Sequence, residues 1–256
     1  MGLFTVASGS GSLGATTLSV GLALTWPRPV VLVEADPAGG SAILAGYCTG
    51  LARPGLSELV LAQRHHQLAA ELPSRLFPLA DSNASLLPGL RSHQQAASLL
   101  GVWDTLLGAL RDLEVETGVD IVVDAGRLGM VGSPEPFLTE SDVTVVLTGT
   151  GLPELARVRT WLPRLQEGAS GELRLIVAGR VRPYSTSEIS KTLGVTVLGE
   201  VAWDPDAARY WSHGEPQRRF ERSPLLRSVE ALGESLRRLT PRPDEILPRT
   251  KAEVER

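Results

Sequence analysis

The chain has 256 residues, 43% of them hydrophobic, with a formal net charge of −4 and a mean hydropathy of +0.04. That is enough chain for one large buried core or two small ones, and the charge balance gives no general pull toward nucleic acid. A single cysteine, Cys48, excludes a disulfide framework; no apolar run is long enough to span a bilayer and no basic segment precedes the first apolar residues, so a soluble, cytoplasmic protein is expected.

Leu3, Phe4 and Val6 predict an opening strand. Behind it come Gly9, Ser10, Gly11, Ser12, Leu13 and Gly14, then Ala15, Thr16 and Thr17, and a helix-like run over residues 18–24. A strand, a glycine-rich turn and a helix start form the context of a phosphate-binding loop, where consecutive backbone N–H groups and the helix dipole hold an anion. The spacing fits G-x-x-x-x-G-K-[ST] from Gly9 to Thr16 at every position except the lysine, which is Ala15. These residues alone leave two readings open, a phosphate cradle and a tight turn with no ligand.

Trp26 to Pro29 breaks the chain, and residues 29–33 read as a buried strand that ends in Glu34, Asp36, Pro37 and two glycines. Acids at the carboxyl end of a parallel strand sit where open α/β sheets bind ligands, although they also serve as loop or helix caps. A second helix is expected over 55–62, short helix and loop over 68–76, and a strand ending in a turn over 86–89. Apolar residues at helical spacing from Ala96 to Leu110 predict one helix over 93–117, stopped at Gly118. Residues 119–126 give the strongest central strand, with Asp124 at its tip. Strands over 142–147, 173–178 and 195–199, with a helix through Leu165 between the first two, complete a set of about seven. Strands alternating with helices imply parallel pairing through right-handed crossovers, hence a three-layer α/β fold with a mostly parallel central sheet. Leu225, Leu226, Val229, Leu232, Leu236 and Leu239 mark a closing amphipathic helix, and residues 241–256 read as a flexible charged tail.

The motifs in this order resemble the MinD/ParA group of deviant P-loop ATPases, which includes the CpaE/TadZ pilus-localisation proteins. Their loop K-G-G-x-G-K-T-T matches Ser10 to Thr17, and their acidic second-strand end matches Glu34 to Pro37. Their Walker B strand matches Ile121 to Asp124, and the terminal stretches around Asp204-Pro205 and Gly214 to Pro216 also recur. The resemblance covers residues 1–240 and implies a P-loop NTPase-like domain. It implies nucleotide contacts from Gly9, Ser10, Gly11, Ser12, Leu13, Gly14, Ala15, Thr16 and Thr17, with Arg180 and Asp204 on the base side. It also implies a Mg²⁺ shell built on Thr16, Asp36 and Asp124, with Asp36 positioning the attacking water.

The departures are specific. The loop lysine is Ala15, and the signature lysine that reaches a partner's nucleotide in the family is Ser10. Phosphoryl transfer rests on electrostatic stabilisation, so hydrolysis is expected to be impaired, Asp36 and Asp124 to be vestigial, and the cofactor to be absent or weakly bound ATP or ADP with Mg²⁺. The base-side asparagine of the family is Gly179, next to Arg180, and Arg127 is the nearest candidate for a replacement cation. Trp26, Trp103 and Trp161 read as packing residues, Trp203 and Trp211 as interface candidates, and His65-His66 as a solvated pair. Arg218, Arg219 and Arg222 read as a solvated face, which makes DNA an unlikely partner in this reading. The resemblance thus leads to a homodimeric localisation or scaffold protein serving a pilus, secretion, polar-positioning or division system through protein partners. An ATP-gated dimerisation switch with slow hydrolysis and a ParA-like DNA-partitioning protein are the alternatives.

Overall fold

The structure is a computed structural model, and it describes residues 1–11, 13–79, 81–179 and 183–241. Ser12, Arg180 and residues 242–256 of the expected tail lie outside the described residues. The strands are β1 Leu3–Ser8, β2 Val30–Glu34, β3 Phe77–Pro78, β4 Ala84–Leu87, β5 Asp120–Arg127, β6 Val143–Thr148, β7 Glu172–Ala178 and β8 Val197–Val201. The helices are α1 Ala15–Thr25, α2 Ala42–Ala45, α3 Leu56–Gln63, α4 Leu68–Arg75, α5 Trp103–Thr117, α6 Glu135–Glu140, α7 Leu152–Gly168, α8 Thr186–Leu193, α9 Pro205–His213 and α10 Pro224–Leu239.

The strands form one sheet in the order β3-β4-β2-β5-β1-β6-β7-β8. Every pairing is parallel except β3 on β4, so the expected parallel set gains one short antiparallel edge. Helices cover both faces, which is why β1, β2 and β6 are buried at every position and read as continuous apolar runs instead of alternating ones. On one face α1 packs against α9 and α10, around Trp26, Trp211, Leu22 and Val229. On the other, α3, α4 and α5 enclose Trp103, Leu106 and Phe137, and α7 closes a third cluster around Val158 and Leu162.

Trp211 corrects an expectation. It is buried in the core with its ring on Gly21 of α1, where a β-carbon would come within 2.6 Å of the ring. The expected interface role falls to Trp203 alone, which is 52% exposed. The helix expected over 93–117 is also divided: His93–Gly101 winds as a 3₁₀ helix capped by Ser92, and α5 starts at Trp103. The change lets the Trp103 indole donate to the Gly132 carbonyl at 2.9 Å, and Gly101 offers little helix propensity at the joint. Five short elements (α2, α6, α8, α9 and β3) were not expected.

The carboxyl ends of the strands share one edge. In register, Glu34 of β2 is level with Asp124 of β5, and Asp124 is level with Val6 of β1. The glycine-rich loop leaves β1 beside that acidic pair, at a crevice outside the strand ends where open sheets bind ligands. At the opposite end of β5, the buried Asp120 carboxylate accepts from the Gly2 N–H at 3.0 Å, the Trp26 indole at 2.8 Å and Arg28 Nε at 2.8 Å. It ties the chain start to the turn before β2, far from the crevice.

Candidate functional site

The loop is fixed by its backbone. Gly9 donates to the Leu147 carbonyl at 3.0 Å, and a β-carbon there would lie 2.2 Å from Val158 Cγ2. The Ser8 hydroxyl donates to the Ser10 carbonyl and keeps Ser10 buried. Gly14, at φ +85, turns the chain into α1 and supplies no side-chain cap. Among the described residues nothing caps the first-turn amides of α1, an arrangement compatible with an anion at this helix start. Ala15 is almost fully buried at that first turn, so the position that carries the loop lysine in the resembling family brings a methyl group to the wall of the crevice.

The cleft has a volume of about 440 Å³ and is lined by Gly11, Gly14, Thr16, Asp36, Gly126 and Arg127, among others. Asp36 Oδ1 accepts from the Ala38 N–H at 2.8 Å, and its carboxylate lies directly over Gly126. A β-carbon at Gly126 would come within 2.3 Å of the Asp36 carboxyl carbon, and φ there is +64, so only glycine fits at this position, just before Arg127.

Asp124 is fully buried. Its Oδ1 accepts from the Gly126 N–H at 3.1 Å, and its Oδ2 has no hydrogen-bond partner among the described residues. Burial is the largest cause that pushes its carboxyl up to about 7, and the neighbouring charge of Asp36 adds to it. The Thr16 hydroxyl pulls the other way, close enough to favour the ionised form without reaching hydrogen-bond geometry, and so does the Gly126 N–H. An unpaired oxygen beside a hydroxyl and a second carboxylate fits a hydrated divalent cation. Among the described residues no cluster of three His, Cys, Asp or Glu could hold a metal, so such a cation would need further oxygens from a phosphate and water, as Mg²⁺ commonly takes.

Arg127 follows directly from this geometry. The turn at Gly126 aims it across the cleft mouth, where its Nη1 lies 3.7 Å and its Cδ 3.9 Å from a β-carbon placed on Gly11. Its Nη2 lies 3.1 Å from Met130 Sδ, and among the described residues it forms no ion pair. The sequence offered Arg127 as a nearby cation without a direction, and the fold supplies that direction.

A second, more apolar cleft of about 300 Å³ adjoins the first through Leu13, Gly14 and Thr17, and Trp203, Asp204 and His213 form its far side. Asp204 lines it while capping α9: its Oδ1 accepts from the Ala207 N–H at 3.1 Å. The fold thus brings Ser10, Gly11, residues 13–17 and Asp36 to one cleft, keeps Asp124 buried behind Gly126 of its lining, and leaves Asp204 on the neighbouring cleft.

Glu34, the other acid of the expected acidic strand end, is buried, and its carboxylate receives three donors: the Ser41 hydroxyl at 2.5 Å, the Gly89 N–H at 2.8 Å and the Ile43 N–H at 3.0 Å. Burial pushes its carboxyl up, and these three donors offset part of that effect.

No protein-family model and no curated protein matches the sequence. Solved structures match the fold closely. The septum site-determining protein MinD of Pyrococcus horikoshii, complexed with Mg-ADP, superposes with a TM-score of 0.72 at 18% identity, over 93% of this chain and 96% of that one. The MinC:MinD cell division protein complex of Aquifex aeolicus gives 0.72 at 14% identity, over 92% and 95%. A ParA family ATPase of Chlorobium tepidum gives 0.70 at 16% identity, over 92% and 98%. The sheet order, the glycine-rich loop leaving β1 and these matches along nearly the whole chain give this protein the α/β P-loop fold of the MinD/ParA-type ATPases.

Proposed function

We propose that this protein is a catalytically impaired member of the MinD/ParA group that acts as a localisation scaffold or regulatory factor in pilus assembly of the TadZ/CpaE kind, polar positioning or cell division. One observation carries the reading: the cleft keeps its glycine-rich loop, Thr16 and Asp36, with Asp124 buried behind Gly126, while Ala15 and the buried Ser10 occupy the two lysine positions of the resembling family. A bound Mg²⁺–nucleotide would bring its own metal charge and a γ-phosphoryl group. The loop amides would hold the phosphates, Thr16 and Asp124 would orient the metal's water shell, and Asp36 would hold the attacking water. No ammonium would neutralise the charge that builds on the phosphoryl oxygens. Loss of a single well-placed transition-state donor lowers rates by about 10²–10³, so loss of both lysines leaves hydrolysis too slow to drive a cycle. The partners are a second copy of the chain and a protein of the system it serves; the MinD found in complex with MinC supports a protein partner by analogy. It works in the cytoplasm, recruited to a pole or membrane by those partners. Steady-state turnover of Mg-ATP by wild type and by the Ser10→Lys/Ala15→Lys double variant tests this. Wild type is expected at background, and turnover within tenfold of the double variant would refute the impairment.

Arg127 favours a second reading, a nucleotide-gated switch in which this arginine stands in for the missing lysines. Its guanidinium at the cleft mouth, without an ion pair among the described residues, supports that role. If it is correct, wild type binds Mg-ATP and Arg127→Ala weakens binding at least tenfold. Under the first reading the substitution changes nothing measurable.

A further inference from the structure

The segment after Asp36 approaches the rest of the protein at closely spaced points. Ser41, in the left-handed region at φ +38, donates its N–H to the Leu90 carbonyl at 3.2 Å and its hydroxyl to Glu34. The same hydroxyl oxygen accepts from the Leu44 N–H at 3.3 Å and caps α2. Glu34 Oε1 takes the Ile43 N–H, and Oε2 also takes the Gly89 N–H, so one buried carboxylate joins the segment to the loop after β4. Further along, Gly46 lies so close to α9 that a β-carbon would meet the Ser212 carbonyl at 2.1 Å. Tyr47 packs edge-on to Tyr210 of α9, with ring centroids 6.3 Å apart.

The backbone inside the segment is equally committed. The amides of Ala45, Gly46, Cys48, Thr49 and Gly50 all donate to carbonyls within it. A loop that waits for a ligand to order it shows the opposite pattern, with few internal bonds and few buried anchors. A carboxylate with three donors also resists substitution by its amide. Glutamine can accept at one oxygen, but its NH₂ group must face a hydroxyl or an amide that itself donates.

We propose that Glu34 is a structural clamp that holds residues 36–50 in a single conformation and welds the acidic tip of β2 to α9, with no help from a nucleotide. The clamp makes this segment a fixed strut between the loop cleft and the α9 wall of the apolar cleft. It presents one constant surface at the sheet edge. The inference holds whether or not the cleft takes a nucleotide, so it stands or falls apart from the functional reading above.

Amide hydrogen exchange on the full chain, with nucleotide removed and EDTA present, tests it. In wild type the amides of Ser41, Ile43, Leu44, Ala45, Gly46, Cys48, Thr49, Gly50 and Gly89 should exchange at least 100-fold more slowly than an unstructured chain. In Glu34→Gln the same amides should exchange at least tenfold faster than in wild type, with β1 and β6 unchanged. Ser41→Ala, which removes one donor and leaves the carboxylate, should give the same local pattern at smaller amplitude and guards against a Glu34→Gln chain that fails to fold. Unprotected amides in wild type would overturn the clamp. Unchanged exchange in both variants, or an increase spread evenly over the sheet in Ser41→Ala, would overturn it too.

Discussion

Replacing Asp124 with asparagine should stabilise the protein at neutral and alkaline pH and change little near pH 4. In the folded chain its carboxyl is pushed from 3.8 up to about 7, first by complete burial and then by the Asp36 charge. The folded pKa lies above the unfolded one, so the folded state holds a proton that the unfolded state releases between about pH 4 and pH 7. The stability linked to this group is fully present below pH 4 and is lost as pH rises to 7. Three pH units at about 1.36 kcal/mol each give up to about 4 kcal/mol at pH 8. In a chain of this length that corresponds to on the order of 10 °C in Tm. Asparagine keeps an oxygen for the Gly126 N–H and never ionises, so it avoids the penalty. Urea unfolding of both proteins from pH 4 to pH 8, with EDTA present, measures the difference. A gap that opens between pH 4 and 7 in favour of Asp124→Asn is expected. A gap independent of pH, or a variant less stable at pH 8, would refute the reasoning.

Two further predictions concern the frame of the site. Asp120→Asn sets an NH₂ group against either the Gly2 N–H or the Trp26 and Arg28 donors in a buried pocket and should destabilise the fold by about 3–5 kcal/mol in urea unfolding, without altering the cleft; a loss under 1 kcal/mol would mean Asp120 is not the anchor of that end of the sheet. Gly21→Ala places a methyl group 2.6 Å from the Trp211 ring and should cost about 1–3 kcal/mol, despite alanine's better helix propensity; a more stable variant would show that Trp211 moves aside freely.

Much of the sheet was legible because buried parallel strands are apolar on both faces. The runs that became β1, β2, β5, β6 and β7 are such segments, and α10 runs from Pro224 to Leu239, as its leucine spacing indicated. What was missed divides into two kinds. Helices α8 and α9 carry local start and stop signals: Ser185 with Glu188 and Gly194 for the first, and Asp204, Pro205 and Gly214 for the second. Those signals flank segments that are short and weakly apolar. β3 is a two-residue edge containing Pro78, with no pattern to find.

The other misses depend on contacts distant in sequence. Nothing near Trp211 says whether it faces inward; the informative residue is Gly21, some 190 positions earlier. Glu34 looks like Asp36 in the sequence, and only its donors from Ser41, Ile43 and Gly89 make it structural. The direction of Arg127 is set by the turn at Gly126, which in turn is required by the Asp36 carboxylate above it. The glycine-rich turn between β1 and α1 was readable because such a turn is a local device of backbone and spacing. Its charge was readable for the same reason, since Ala15 and Ser10 are simply different letters.

On the function proposed above, the cleft keeps the shape of a phosphate site without its lysine charge. Calorimetric titration of Mg-ATP into wild type and Ala15→Lys, side by side, addresses it most directly. No measurable heat is expected with wild type, and micromolar binding, about −8 kcal/mol, is expected with Ala15→Lys. Micromolar binding by wild type would contradict it and make the protein a nucleotide-gated switch.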